Sequence, residues 1–163
     1  MADLGRLEAL AADPAAKPVL EAALRRLGSS DQFSDALRGY LISRGHDPEV
    51  TNLVIHCLEE RRILDDQKTI TTLASRYSGK RVAGKEKIAD WLRSKGAPED
   101  LVQQWMASRP DSEQSELALE ALRSKRSSTR DRASAGRFLA SRGFDAEAIE
   151  SALEQFFGSE DPA

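Results

Sequence analysis

The chain has 163 residues, of which 40% are apolar and 31% are charged, and its formal net charge is −3. This length allows one or two domains or a short repeat array, and the apolar content is enough for the core of a helical protein. The single cysteine, Cys57, excludes a disulfide framework, and no run approaches the roughly 20 apolar residues that span a bilayer. The N-terminus lacks the basic and apolar regions of a signal peptide, so we expect a cytosolic protein.

The first part of the chain predicts an N-terminal tail or frayed helix over residues 1–14 and a three-helix repeat over residues 15–61. Apolar residues at helical spacing indicate one helix that ends at Gly28, a second that begins by Asp31 and a third that begins at Asp47. An Asp can cap a helix, and the Pro that follows suits the first turn. The apolar positions of these helices are Val19, Leu20, Ala23, Leu24, Leu27, Phe33, Leu37, Tyr40, Leu41, Val50, Leu53, Val54, Cys57 and Leu58.

The same scheme predicts a second three-helix repeat over residues 62–109, a third over residues 110–157 and an acidic tail over residues 158–163. Either Asp65 or Asp66 can cap the first helix of the second repeat. The apolar positions are Ile70, Leu73, Ala74, Tyr77, Ile88, Trp91, Leu92, Leu101, Val102, Trp105, Met106, Leu117, Leu119, Leu122, Ala135, Phe138, Leu139, Ile149, Leu153, Phe156 and Phe157. No segment alternates with a period of two, so we predict an all-helical protein.

One short phrase recurs in all three repeats and links their second and third helices. It consists of Leu, any residue, Ser, a cation and Gly, and its glycines are 51 and 47 positions apart. The cation suits the last turn of a helix, and Gly can adopt the left-handed conformation that ends it. Recurrence at this spacing indicates a repeat architecture. The copies are Leu41–Gly45, Leu92–Gly96 and Leu139–Gly143.

Charge is segregated along the chain. Residues 61–95 carry ten Lys or Arg against four Asp or Glu, and residues 123–142 carry seven against one. Cations of this kind can contact phosphates, which gives salt-dependent affinity without sequence specificity, and Tyr77 lies among them where it could stack on a base. They can equally be solvated and paired with nearby acids. The candidate binding residues are Arg76, Tyr77, Lys80, Arg81, Lys85, Lys87, Lys125, Arg126, Arg130, Arg132 and Arg137.

The sequence carries no recognisable catalytic or metal-binding constellation. Asp65 and Asp66 are adjacent at a helix start, where side chains diverge, and a cap explains one of them better than acid–base chemistry does. His46, His56 and Cys57 lack the spacing of zinc ligands. We therefore expect no catalytic residue, no metal and no cofactor.

Four further motifs occur in order between about residues 17 and 157. They are Ile63-Leu64-Asp65-Asp66, Gly84-x-x-x-Ile88-x-x-x-Leu92-x-x-Lys95-Gly96, Ala121-x-x-x-Lys125 and Phe138-Leu139-x-x-Arg142-Gly143-Phe144. In these motifs the chain resembles the RecX family, the bacterial regulators of the RecA recombinase. The signature residues of this resemblance are Leu64, Asp65, Asp66, Gly84, Gly96, Phe138 and Gly143.

The resemblance implies a tandem array of three three-helix repeats that forms a curved, elongated molecule. RecX-like proteins lodge in the helical groove of the RecA–DNA filament and bridge its protomers. There they limit filament growth, ATP hydrolysis, strand exchange and RecA-assisted repressor cleavage. The resemblance also implies a noncatalytic cytoplasmic monomer without a cofactor, whose partners are the RecA filament and single- or double-stranded DNA, bound directly or within the filament.

Two other functions are consistent with the residues alone. A standalone helical nucleic-acid-binding module would use the same cations, and a helical-repeat adaptor for another protein would leave them solvated. The two basic segments fall in corresponding parts of successive repeats, which favours a role in binding over simple solvation. Only the resemblance separates a RecA regulator from the standalone module.

Overall fold

The structure is a computed structural model that describes residues 2–125 and 131–158, with no account of the side chains of residues 2–4. Over these ranges the secondary structure is entirely helical, as predicted, with ten α-helices and one 3₁₀ turn at Gly79–Arg81. None of these helices has both the length and the apolar character to cross a membrane. The α-helices are α1 (Ala2–Ala12), α2 (Lys17–Ser29), α3 (Ser34–Ser43), α4 (Pro48–Glu60), α5 (Asp66–Ala74), α6 (Lys85–Ser94), α7 (Glu99–Ala107), α8 (Asp111–Ser124), α9 (Arg132–Ser141) and α10 (Ala146–Gly158).

The nine helices predicted for the three repeats are all present, and two of their boundaries differ from the prediction. Helix α2 continues through Gly28 to Ser29, and α3 begins at Ser34 rather than by Asp31. Gly28 adopts no left-handed conformation, so it is an ordinary helical residue and not a stop. A glycine marks a helix end only where the backbone requires a positive φ.

The repeated phrase forms the turn that the sequence predicts. Gly45, Gly96 and Gly143 have φ values of +88°, +85° and +78°, which are left-handed. After the first copy, the N–H of Gly45 donates to the carbonyl of Ile42 at 2.9 Å and the N–H of His46 to that of Leu41 at 3.2 Å. These bonds satisfy carbonyls that the end of α3 would otherwise leave free.

Aspartates begin several helices by accepting backbone hydrogen bonds. Asp47 accepts from the N–H groups of Glu49 and Val50 at 2.9 and 3.0 Å, as predicted for α4. Asp65, rather than Asp66, caps α5 through the N–H of Lys68 at 3.0 Å. The same interaction begins α9 at Asp131 and α10 at Asp145.

Contacts divide the chain into two compact units. The N-terminal unit comprises the described residues up to Leu73 together with Lys95–Pro98, and the C-terminal unit comprises Ala74–Ser94 with the described residues from Glu99 onwards. This partition follows packing, whereas the three-repeat division follows sequence similarity and stays a prediction.

Each unit has its own apolar core. In the N-terminal unit, side chains from α1 to α4 pack together with Leu64. In the C-terminal unit, α8, α9 and α10 pack with Val82, and Phe144 from the repeated turn joins them. Residues of the first core are Leu10, Val19, Leu20, Leu37, Leu41, Val54, Ile55, Leu58 and Leu64, and those of the second are Val82, Ala118, Leu119, Leu122, Ala135, Leu139, Phe144 and Leu153.

The segment predicted as a tail or frayed helix at the N-terminus is helix α1. Leu10 is only 6% exposed within the first core, and Leu7 packs against that core. Arg6 reinforces the contact, because its Nη1 lies 2.9 Å from the Glu60 carboxylate at the end of α4. The sequence left a tail and a helix both open, because three leucines in so short a segment do not make a stable helix alone, whereas packing against the first core holds α1 in place.

Candidate nucleic-acid interface

A basic groove of about 460 Å³ opens in the C-terminal unit. Five of the eight residues that line it are cations, two are aromatic and one is Ala83. Four of the cations and one aromatic belong to the binding residues predicted from the sequence. The lining residues, called here the basic groove, are Arg76, Tyr77, Lys80, Arg81, Ala83, Lys87, Trp91 and Arg142.

Two neighbouring segments and a third that is distant in sequence build this groove. The residues after α5 and the 3₁₀ turn supply one wall, α6 supplies Lys87 and Trp91, and the end of α9 supplies Arg142. Helix α5 stops before Gly79, whose φ of +57° turns the chain into the 3₁₀ segment. This turn places two consecutive cations, Lys80 and Arg81, on an exposed segment.

Two signature glycines bring the start of α6 against the turn between α9 and α10. The N–H of Gly84 donates to the carbonyl of Arg142 at 2.9 Å. A Cβ on Gly84 would lie 2.0 Å from the Gly143 carbonyl oxygen, and a Cβ on Gly143 would lie 2.4 Å from Cβ of Lys87. Only glycine fits at either position, and their contact sets Lys87 beside Arg142.

Arg142 holds two parts of the groove together. Its Nη1 donates to the carbonyls of Val82 and Lys80 at 3.1 and 3.3 Å, and its guanidinium lies over the Phe138 ring at 5.2 Å. These contacts fix the 3₁₀ segment against α9. Arginine suits this role because it has five N–H donors and stays protonated.

Lys87 and the two aromatic residues are also held in defined positions. Nζ of Lys87 donates to the carbonyl of Ser141 at 2.7 Å, which anchors its charge at the end of α9. Tyr77 and Trp91 meet edge to face, with ring centroids 5.2 Å apart and planes at 71°. This geometry is a favourable one for aromatic pairs, and it keeps both half-buried rings in the groove wall.

The other predicted cations that the structure describes lie outside the groove lining. Lys85 is 2.7 Å from Asp111, and this hydrogen bond raises the pKa of Lys85. Arg132 pairs with Glu150 at 2.5 Å, Lys125 lies 5.0 Å over the Phe138 ring, and Arg137 is exposed on α9. The predicted residues Arg126 and Arg130 are outside the described residues. Of the third repeat's cations that the structure describes, Arg142 is the one that lines the groove.

Besides Ala83, one aromatic and one cationic lining residue were missed from the sequence. Trp91 was assigned to the apolar stripe of α6, and Arg142 was counted only as the helix-ending cation of the repeated phrase. The third copy of the repeated phrase carried a signal for Arg142, because this cation ends α9 next to Gly143, the glycine that Gly84 contacts. The proximity of α6 to this turn depends on packing, which the phrase does not encode.

The signature acids have structural roles in the N-terminal unit. Leu64 is 2% exposed in the first core, Asp65 caps α5, and Oδ1 of Asp66 accepts from the N–H and hydroxyl of Ser34 at 2.8 and 3.1 Å. Burial raises the pKa of Asp66, and the bonds from Ser34 oppose that rise. Among the described residues no group of three or more His, Cys, Asp or Glu side chains could hold a metal ion.

The fold and groove define an all-helical repeat protein with a cationic, aromatic-lined surface suited to a polyanion. No family model matches the chain. It is 32% identical over 142 residues to the regulatory protein RecX of Deinococcus radiodurans, a match that covers 84% of this chain and 67% of that protein. The crystal structure of RecX from Lactobacillus salivarius has a similar fold, with a TM-score of 0.74 at 16% identity over 86% of this chain and 95% of that one.

The chain belongs to the RecX family. The Deinococcus relative is named a regulatory protein, which supports the prediction of a regulator rather than an enzyme. The resemblance first noted in four short motifs is thereby confirmed over most of the chain.

Proposed function

We propose that this protein binds the RecA nucleoprotein filament in the cytoplasm and limits its recombinase, ATPase and coprotease activities. The basic groove of the C-terminal unit carries the proposal. It gathers Arg76, Lys80, Arg81, Lys87 and Arg142 beside two aromatic rings. The family resemblance is the reason for naming RecA as the partner. The groove offers the cations and aromatic rings that binding to the DNA of a RecA filament requires.

The groove suits a phosphodiester backbone more than a small anion. Its cations come from three separate segments and surround a volume of about 460 Å³, so they can contact several successive phosphates. Lys87 and Arg142 are already held by backbone carbonyls, which lowers the side-chain entropy that binding would cost. Such contacts give affinity that falls with salt and carry no base preference. A filament regulator needs this property because it must act on DNA of any sequence.

The first test is RecA's ATP hydrolysis on single-stranded DNA, titrated with this protein. We expect inhibition at amounts well below one molecule per RecA protomer, because a molecule lodged in the filament blocks its extension. Inhibition only when the protein rivals the DNA sites would indicate competition for DNA. Absence of an effect at every ratio would contradict the proposal and favour the adaptor function.

The role of the groove is tested by the double variant Lys80→Glu with Arg81→Glu in the same assay. Both residues are exposed on the 3₁₀ turn, so the fold should survive the change. We expect weaker inhibition and a smaller salt dependence than in the wild type. The matched control is Lys17→Glu with Arg123→Glu, which changes the net charge equally at exposed positions outside the groove lining. Equal loss in both variants would indicate net charge rather than the groove.

A standalone nucleic-acid-binding module is the second candidate, and the same groove favours it. The two functions differ in their dependence on RecA. A standalone module would bind bare DNA as tightly as it binds a RecA-coated strand, whereas a filament regulator should bind the coated strand more tightly.

A further inference from the structure

An aromatic residue precedes the Leu of every copy of the repeated phrase. Tyr40, Trp91 and Phe138 occupy this position, and each stands four residues before the phrase's cation. Four residues on a helix bring two side chains onto the same face. The phrase is therefore longer than its Leu-to-Gly core, and it begins with an aromatic that can meet its own cation.

The structure shows this pairing in the first and third copies. The guanidinium of Arg44 lies 5.3 Å from the Tyr40 ring centroid, and that of Arg142 lies 5.2 Å from the ring centroid of Phe138. Such distances place a cation over the negative face of the ring.

A second side chain, from the end of the preceding long helix, covers each aromatic. Arg26 lies 4.8 Å over Tyr40, and Lys125 lies 5.0 Å over Phe138. In the second copy Tyr77, three residues after the end of α5, meets Trp91 edge to face. In each repeat the aromatic of the phrase thus packs against a side chain at, or a few residues beyond, the end of the first helix.

Two of the three copies contribute to the basic groove. Tyr77 and Trp91 come from the second copy and Arg142 from the third. The first copy has the same arrangement with two arginines, and it lies in the N-terminal unit. We propose that Arg26, Tyr40 and Arg44 form a second binding site for a nucleic-acid backbone. This inference rests on the proposed function, because it assigns the same ligand to a second site.

The charges of this first-copy site are available to a ligand. Within the described residues neither Arg26 nor Arg44 forms an ion pair, whereas Arg6, Arg38 and Arg93 do. Arg44 is exposed at the end of α3. Nε of Arg26 is buried and has no hydrogen-bond partner in the part of the chain that the structure describes. Tyr40 holds both guanidiniums in place, and a held guanidinium can bind a phosphate through two parallel hydrogen bonds.

The test is the double variant Arg26→Gln with Arg44→Gln, which keeps the first three carbons of each side chain and a polar end and removes both charges. Binding to a fluorescent oligothymidine is measured by anisotropy at several salt concentrations. Each lost phosphate contact should reduce the log–log salt slope by about 0.7 on a single strand, so we expect a decrease of about 1.4. The matched control is Arg6→Gln with Arg38→Gln, whose cations pair with carboxylates in the same unit and should leave the slope unchanged.

The groove variant Lys80→Glu with Arg81→Glu is measured alongside to separate the two proposals. A smaller slope in this variant with an unchanged slope in the Arg26/Arg44 variant would overturn the second site alone. Absence of wild-type binding to bare or RecA-coated DNA would overturn both proposals. The single variant Arg44→Gln guards against misfolding, because its exposed side chain is outside the core, and it should lower the slope by about 0.7.

Discussion

Asp66 is a half-buried carboxylate that connects the start of α5 to the start of α3. Its Oδ1 accepts from the backbone N–H of Ser34 at 2.8 Å and from its hydroxyl at 3.1 Å. Burial raises the pKa of Asp66 above its ordinary value of 3.8, and the charges of Glu59 and Asp35 add to the rise, while the two bonds from Ser34 oppose it. Carrying a negative charge on Asp66 therefore costs more free energy in the folded protein than in the unfolded chain.

The difference in free energy of unfolding between Asp66→Asn and the wild type should favour the variant more at pH 7 than at pH 4. The raised pKa means that the folded protein binds more protons than the unfolded chain, so the wild type loses stability as pH rises from 3.8 through the folded-state pKa. The Asn side chain keeps an oxygen for Ser34 and has no charge to desolvate. Urea unfolding at pH values from 4 to 7 measures the difference between the two proteins.

One outcome of that series would contradict the prediction, and a further variant extends it. A stability difference that stays flat across the pH range would contradict the effect of burial on Asp66. The variant Ser34→Ala removes a bond that lowers the pKa of Asp66, so it should steepen the loss of stability with pH.

The pair Asp65 and Asp66 shows what sequence can resolve at the scale of a residue. A capping aspartate was predictable from its place before an apolar helix, and Asp65 confirms it. The choice between two adjacent aspartates was not predictable, because both are acceptable caps. The Ser34 contact of Asp66 spans 32 positions and exists only after the helices have packed.

At the scale of elements, the contact between Gly84 and Gly143 joins the start of α6 to the turn after α9. Both glycines were marked from the sequence, Gly84 as a signature residue and Gly143 as a helix end, but no local pattern indicates that they touch. Their contact is so close that a Cβ on Gly84 would lie 2.0 Å from a backbone oxygen, which no side-chain rotation can relieve. Backbone must shift, and the shift would move Lys87 away from Arg142.

The variant Gly84→Ala should lower the free energy of unfolding by about 3 kcal/mol, because overpacking against backbone distorts its surroundings. The control is Gly39→Ala in the exposed part of α3, where a Cβ meets nothing within 4 Å. That change should raise stability by about 1 kcal/mol, since alanine is the better helix former. Urea unfolding compares the three proteins, and equal effects of the two alanines would refute a packing role for Gly84.

At this scale, the helix ends and caps that depend only on neighbouring residues were predicted correctly. The three turn glycines and Asp47 follow from short-range rules, and the structure confirms each of them. Gly28 resembled a helix end and is not one, because nothing in its surroundings requires a positive φ. The assignment of Trp91 to the core was incomplete, since its ring is half-buried and shared between packing and the groove.

At the scale of the whole molecule, the unfolding of the two units can be followed by different spectroscopic signals. Each has its own apolar core, with Leu37 fully buried in the first and Leu122 fully buried in the second. Both tryptophans of the chain, Trp91 and Trp105, belong to the C-terminal unit. Tryptophan fluorescence therefore follows the unfolding of that unit, whereas far-UV circular dichroism follows the helices of both.

Separate cores should make the unfolding of this protein deviate from a single two-state transition. Leu37→Ala creates a cavity in the N-terminal unit at a cost of about 3 kcal/mol, so it should lower the dichroism midpoint and leave the fluorescence midpoint unchanged. Leu122→Ala makes the same change in the C-terminal unit and should lower the fluorescence midpoint. If both variants lower the fluorescence midpoint equally, the two cores unfold as one cooperative unit. The comparison also bears on function, because a second nucleic-acid site on an independently folded N-terminal unit would keep its affinity after the basic groove has unfolded.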